Sequence, residues 1–262
     1  AEVFGTWSDL SADGTASGGT YGRLNKAISF DLLSTSGAAV PWENFVINWV
    51  DAGSGNNRLL LAVIISKGTG AVAAIPENAV WGTTMTKGGS ATSGGLSIAV
   101  FYTVNPASTS QAFTVSYSPA LFSEYVAAVL SLSNVHQTVP VGSFISTSGA
   151  GTSISLDIPG AMQDMAVDIV ALLSALTSTV GAGQLTVVNR KANSTAGTLS
   201  GLASREHGTG TVNMAWTLGE SASFLSGGVA IKPIEANAPD SPSTLTYAIT
   251  NPPLGIYRVL VS

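Results

Sequence analysis

The chain has 262 residues, of which 45% are apolar and only 10% are charged, with 10 basic and 15 acidic side chains. Because an ordinary soluble protein has roughly 25% charged residues, much of this surface must consist of hydroxyls, small side chains and backbone. The sequence has no cluster of lysine and arginine, which excludes the electrostatic footprint of a nucleic-acid-binding protein. The absence of cysteine excludes disulfides, thiolate catalysis and cysteine-based zinc sites.

The first part of the chain combines a polar arm with strongly apolar runs. Residues 1–25 are rich in glycine, serine and threonine and predict an extended N-terminal arm. Residues 59–66, LLLAVIIS, and residues 126–132 are apolar runs that predict strands covered on both faces. Because even the first run is far shorter than the roughly 18 residues of a membrane-spanning helix, no membrane span is expected.

Further along, apolar and polar residues alternate with the period of two that is typical of half-buried strands. This pattern occurs at residues 96–104, 113–117, 154–158 and 211–218. Residues 162–173 fit the spacing of a helix or a strand, and the flanking glycine and proline signals favour the strand. Glycine-rich turns are predicted between the strands, among them Lys87-Gly88-Gly89, Ser148-Gly149-Ala150-Gly151 and Gly208-Thr209-Gly210. The pattern predicts one all-β domain over residues 26–234, an antiparallel β-sandwich of jelly-roll or Ig-like type.

The C-terminal end has a linker and a strand-forming tail. Residues 235–243 contain two prolines and form a linker by composition. In the tail, residues 244–262, two strand candidates lie at 244–250 and 256–261. Since two strands alone are at best marginally stable, we expect the tail to dock on its own sandwich or on an exposed strand edge of a neighbouring subunit. The tail residues expected to make these contacts are Leu245, Tyr247, Ile249, Ile256, Tyr257, Val259 and Val261.

No motif in the sequence predicts catalysis, a metal site or a cofactor. The segment at residues 219–223, GESAS, resembles a nucleophile elbow, but it lacks the last glycine and no histidine follows it. The two histidines, His136 and His207, are too few for a three-histidine zinc site and are predicted to lie in loops. In the strand interpretation, Asp168 lies among apolar neighbours and Asp164 lies in the preceding turn. We therefore expect a protein that is not an enzyme.

The tryptophans allow one binding hypothesis. The chain has five tryptophans, and several of them on one exposed face could stack on sugar rings. The best candidates for such stacking are Trp42, which follows a proline, and Trp7. Trp216 alternates with apolar partners and is expected in the core, which is the more common position for this side chain.

Four segments carry a resemblance to a known class of modules. They are NRLLL at residues 57–61, VWGTTMT at 80–86, FYTVNP at 101–106 and SNVHQTVP at 133–140. Together they resemble a β-sandwich module of phage structural proteins and bacterial surface proteins, and the similarity spans roughly residues 29–234. The second segment of that pattern usually reads VTYGGxxLT, from which this chain differs at Trp81, Thr83 and Met85. The resemblance implies a structural part of a virion or cell exterior and supplies no catalytic residues.

These observations together predict a non-enzymatic structural protein of an exterior assembly. A surface with few charges favours close packing of copies, and the two arms could tie neighbours together. We expect a homo-oligomer on a virion exterior, as a phage capsid decoration or fibre component, in contact with other structural proteins of the same particle. The alternatives are a secreted or cell-surface filament subunit of a bacterium and a carbohydrate-binding module whose partners are surface glycans.

Overall fold

The computed structural model describes residues 27–69, 72–118, 122–174, 177–192 and 198–234. These ranges contain strands and no helix, which confirms the predicted all-β class. The strands are β1 (Ser29–Trp42), β2 (Asn44–Asp51), β3 (Leu59–Gly68), β4 (Ile75–Trp81), β5 (Thr83–Thr84), β6 (Thr86–Ser93), β7 (Leu96–Val104), β8 (Ser110–Ser118), β9 (Phe122–Ser133), β10 (Ile145–Ile158), β11 (Met162–Leu172), β12 (Ser178–Val180), β13 (Leu185–Lys191), β14 (Ser200–Thr209) and β15 (Val212–Ile231).

The strands form three antiparallel sheets, consistent with the predicted β-sandwich. The central sheet has the order β1-β9-β3-β7-β6, and the small sheet has the order β2-β8-β4-β5. The curled sheet has the order β10-β15-β11-β14-β13, with β12 paired to β15. One apolar cluster joins the central sheet to the small sheet, and another joins it to the curled sheet. The central sheet is therefore covered on both faces.

This position in the stack explains the apolar run in β3. Successive side chains of a strand point to opposite faces, so Leu59, Leu61 and Val63 pack toward the curled sheet, while Leu60 and Ala62 pack toward the small sheet. All five are fully buried. The prediction that residues 59–66 and 126–132 form strands covered on both faces is confirmed.

The curled sheet folds over its own outer face. The first half of β15 pairs with the end of β10, and its second half pairs with β11 and the start of β10. Between these halves the ribbon bends back, so that Ile158 reaches Gly228, where an added Cβ would lie only 2.3 Å from the Ile158 Cδ1 atom. Trp216 and Leu218 consequently pack over Val170. This fold-back creates an interior between the two halves of the sheet.

The bounds of these strands test three local predictions. Residues 162–172 form a strand, as the flanking turn signals favoured. The predicted turns at residues 87–89 and 148–151 are wrong, because these residues lie within β6 and β10. Both stretches are rich in glycine, and a strand needs only an extended backbone with a partner strand beside it.

Among the described residues, there is no helix that is long and apolar enough to cross a bilayer.

Candidate functional site

Most of the predicted site residues lie outside the described part of the chain. Trp7 and the seven tail residues from Leu245 to Val261 are among them. Trp42 belongs to β1, but the structure does not describe its side chain. Their expected roles in assembly and in sugar stacking stay predictions.

The three other tryptophans have different environments. Trp216 is buried, as predicted, and Trp81 is also buried. Trp49 is 80% exposed and has a φ of 61°, a left-handed conformation that is rare for a bulky residue. It lies in β2 where the register with β8 shifts between Ile47 and Val50. The sequence did not single out Trp49, because only the bulge turns its side chain away from the core.

A buried carboxylate lies inside the curled sheet. Asp168 of β11 is 1% exposed and faces the interior between Ala166 and Val170. Its Oδ1 atom accepts hydrogen bonds from the backbone nitrogen of Ser204 at 2.6 Å and from the Ser204 hydroxyl at 2.7 Å. Its Oδ2 atom accepts from Trp216 Nε1 at 2.6 Å. One side chain thus ties together three strands: β11, β14 and the folded-back half of β15.

A glutamine extends this network to the turn before β13. Gln184 Nε2 donates to the Ser204 hydroxyl at 2.6 Å, and Gln184 Oε1 accepts from the backbone nitrogen of Ala215 at 2.8 Å. Burial raises the pKa of Asp168 to about 6, although its hydrogen bonds with Ser204 and Trp216 act in the opposite direction. The polar groups satisfy one another within a buried interior, which is the arrangement expected of a structural network.

A second carboxylate joins the central sheet to the curled sheet. Glu124 of β9 accepts hydrogen bonds from the backbone nitrogens of Thr198 at 2.8 Å and Leu199 at 2.9 Å. It also forms an ion pair with Lys67 Nζ at 3.1 Å. Burial acts to raise the pKa of Glu124, but the hydrogen bonds from Leu199, Thr198 and Lys67 outweigh it and hold this pKa below its usual value. Glu124 therefore anchors the chain segment that leads into β14.

The remaining candidate groups do not converge. His136 lies in a loop, as predicted, where its Nδ1 atom accepts from the backbone nitrogens of Thr138 and Val139. The loop prediction for His207 is wrong, because it lies in β14 opposite Met165. Residues 219–223 lie within β15, whereas a nucleophile elbow needs a turn between a strand and a helix. Within the described ranges, no group of three or more histidine or acidic side chains could hold a metal ion.

Within the described part of the chain, the first half of β10 forms a free sheet edge. Among the described strands, β10 ends the curled sheet and pairs with β15 alone, and residues 146–150 are exposed on both faces of the strand. In the described ranges, the backbone of residues 146–157 has no hydrogen-bonded neighbour besides β15. The strand contains one charged residue, Asp157, and no proline. This stretch combines a long edge with an absence of the charges that usually protect such edges.

Comparison of the chain with protein-family models, with curated proteins and with solved structures found no match.

Proposed function

We propose that this chain is a non-enzymatic structural subunit that assembles with copies of itself through strand edges and arms. The observation that carries the proposal is the free edge of β10, which is long, exposed and nearly free of charge. Edge strands without charges, prolines or a covering segment are templates for pairing with another chain. The three stacked sheets would act as the rigid body, and residues 1–25 and 239–262 would act as the connecting arms.

The resemblance of residues 29–234 to phage structural modules supports a more specific proposal. We place the subunit on a virion exterior, as a capsid decoration or fibre component beside other structural proteins. A bacterial extracellular filament subunit is the alternative with the same assembly chemistry. Electron microscopy of the native particle or filament, with antibodies against this chain, separates the two.

Removal of the tail tests the assembly itself. We expect the full chain to form multi-subunit particles and a chain that ends at Ala238 to be a monomer, because the shortened chain keeps the edge but lacks the strand candidates. Light scattering gives the masses, and negative-stain microscopy gives the shapes. Circular dichroism of both chains controls for loss of fold. If both chains are stable monomers, the proposed assembly is wrong.

Carbohydrate binding is a second candidate, favoured by the exposed Trp49. An aromatic ring held outward can stack on the apolar face of a sugar, and backbone strain of this kind clusters at functional sites. If the wild-type chain binds a glycan on an array, we expect Trp49→Ala to abolish that binding. Val46→Ala is the matched control, since Val46 is an exposed residue of the same strand. A wild-type chain that ignores every glycan, or an unchanged W49A variant, removes this candidate.

A further inference from the structure

We propose that residues 244–250 of a second copy add as an antiparallel strand to the free edge of β10 at residues 145–151. This inference rests on the proposed function, because it names the surface and the segment through which the copies assemble. It concerns a defined edge and a defined occupant, so each can be changed separately.

The edge at residues 145–151 is accessible and regular. These seven residues pair with residues 222–228 of β15 without interruption, and the register shifts only after Gly151. In an edge strand, about half of the backbone N–H and C=O groups point away from the sheet. The side chains beside them are small and uncharged: Ser146, Thr147, Ser148, Gly149 and Ala150.

Among the described strands, four of the five other sheet ends have charges or register shifts that oppose strand addition, and the fifth, β5, has only two residues. β13 ends in the basic pair Arg190-Lys191 and has a register shift within it. β2 has the bulge at Trp49, and β6 has Lys87 beside a register shift. β1 has two register shifts. Charges and bulges are common devices that protect sheet edges, and residues 145–151 of β10 have neither.

One face of the edge offers a site for apolar side chains. Gly149 lies opposite Phe224 of β15, and the Phe224 ring covers the position where a Cβ on Gly149 would lie, at 3.1 Å. Phe224 is only half-buried at this point. Because Gly149 has no side chain, part of the Phe224 ring stays accessible to a neighbouring strand. This ring lies on the face of the sheet that includes Thr147 and Gly151.

The segment at residues 244–250, TLTYAIT, fits this edge in length and pattern. It has seven residues, no charge and no proline, and its apolar residues alternate. An antiparallel register with Tyr247 opposite Gly149 places Leu245 opposite Gly151 and Ile249 opposite Thr147. All three apolar side chains then lie on the same face of the sheet as Phe224, where they can cover its exposed ring. Ala248 lies opposite Ser148 in this register.

The position where the described chain ends favours a second copy. Ile145 lies opposite Gly228, and the described chain continues from there to Ile234, away from Gly151. To lie opposite Gly151, residue 245 of the same copy would have to return past the twelve extended steps from residue 222 to residue 234, a span of about 40 Å. The eleven steps from residue 234 to residue 245 span about 36–40 Å when fully extended. Its own tail could reach this register only as a taut chain, whereas the tail of a second copy has no such limit.

A charge on the edge tests the surface. We expect the full-length Ser148→Lys variant to lose the assembled species, because the lysine opposes strand addition at an exposed position where it does not disturb the core. Ser90→Lys is the matched control, since Ser90 is an exposed serine of the β6 edge, and we expect it to assemble like the wild type. Light scattering at equal protein concentrations measures both.

Introduced cysteines test the occupant. Because the chain has no cysteine of its own, full-length Ser148→Cys and Ala248→Cys chains, mixed and mildly oxidised, can form only disulfides between introduced thiols. We expect a mixed dimer with a peptide linked through positions 148 and 248, identified by mass spectrometry. A mixture of Ser90→Cys and Ala248→Cys chains should not form this dimer above the collision background. The S148C/A248C double variant shows whether one chain closes on itself.

The outcomes separate this inference from the proposed function. Assembly of the wild type, loss of assembly in S148K and the mixed 148–248 dimer support both. Assembly of the wild type and of S148K without the dimer overturns the β10 edge while the structural role stands. A disulfide within single chains of the double variant, without mixed dimers, overturns the exchange between copies. A wild-type chain that is a monomer at every concentration overturns the proposed function and, with it, this inference.

Discussion

Replacing Asp168 with alanine lowers the free energy of unfolding by about 3 kcal/mol or more, because three buried hydrogen-bond donors lose the acceptor that they share. The carboxylate accepts from the Ser204 backbone, the Ser204 hydroxyl and the Trp216 indole. Without it, these three donors lose their acceptor in a buried interior, where each unsatisfied group costs about 1–3 kcal/mol. The folded-back half of β15 also loses a tie to β11. Urea unfolding, followed by far-UV circular dichroism at equal and low protein concentration, measures the change.

Asp157 provides the matched control for this substitution. It lies on β10 in an exposed position and accepts a hydrogen bond from the side chain of Asn213. Exposed substitutions of this kind usually change stability by less than about 0.5 kcal/mol, so Asp157→Ala should unfold almost like the wild type. A D168A variant that is equally stable would mean that the interior of the curled sheet relaxes or admits water, and that Asp168 does not hold β15 in place.

The sequence predicts the fold class because its strongest signals are set by burial. The apolar run of β3 is continuous because both of its faces are covered, and the alternation at residues 211–218 arises because one face of that strand is covered. These patterns follow from the periodicity of a strand alone. The number of sheets does not follow from it, since the same run would fit any strand between two layers. The stacking of three sheets depends on pairings far apart in sequence, such as that of β1 with β9.

The free edge of β10 escaped prediction for a related reason. Residues 148–151, SGAG, have the composition of a turn, and residues 146–150 have no buried face that would impose alternation. Their extended conformation is held by pairing with residues 222–227 of β15. Local sequence preference and tertiary pairing disagree here, and the pairing with β15 decides the conformation.

The Asp168 network could be predicted only in part. Strand periodicity places Asp168 among apolar neighbours and Trp216 in the core, and both positions are confirmed. That the two side chains meet depends on the bend of β15, which no short-range signal in the sequence indicates. Gln184 and Ser204 complete the network from a turn and from another strand. Neither has a sequence context that distinguishes it from the many other polar residues of this chain.

Mild acid should stabilise the protein through Asp168. Its pKa is about 6 in the folded chain and has an ordinary value of 3.8, so the folded state binds this proton more tightly than the unfolded state does. A raised carboxyl pKa gives a stabilisation that is complete below the ordinary pKa and is lost as the pH rises through the folded value. Between pH 7 and pH 4.5, this group alone adds about 2 kcal/mol to the free energy of unfolding.

Two other groups change the stability with pH in the opposite direction, and their effects must be separated from that of Asp168. Burial and the charge of Arg205 lower the pKa of His207, so its contribution is lost as the pH falls below the ordinary value of 6.5. The lowered pKa of Glu124 gives a contribution that is lost only below its ordinary value of 4.5 and therefore acts outside this window. Both effects occur equally in a chain with Asp168→Asn, which has no titrating group at position 168.

The measurement is therefore a difference of slopes. Urea unfolding of the wild type and of D168N at pH 7.0, 6.0, 5.0 and 4.5 gives the free energy of unfolding of each chain. As the pH falls from 7.0 to 4.5, we expect the free energy of unfolding to rise by about 2 kcal/mol more for the wild type than for D168N. This expectation does not depend on the difference in stability between the two chains at pH 7. Parallel curves would mean that Asp168 titrates alike in the folded and unfolded chains. In that case either the hydrogen bonds from Ser204 and Trp216 offset the effect of burial on this pKa, or water reaches the carboxylate.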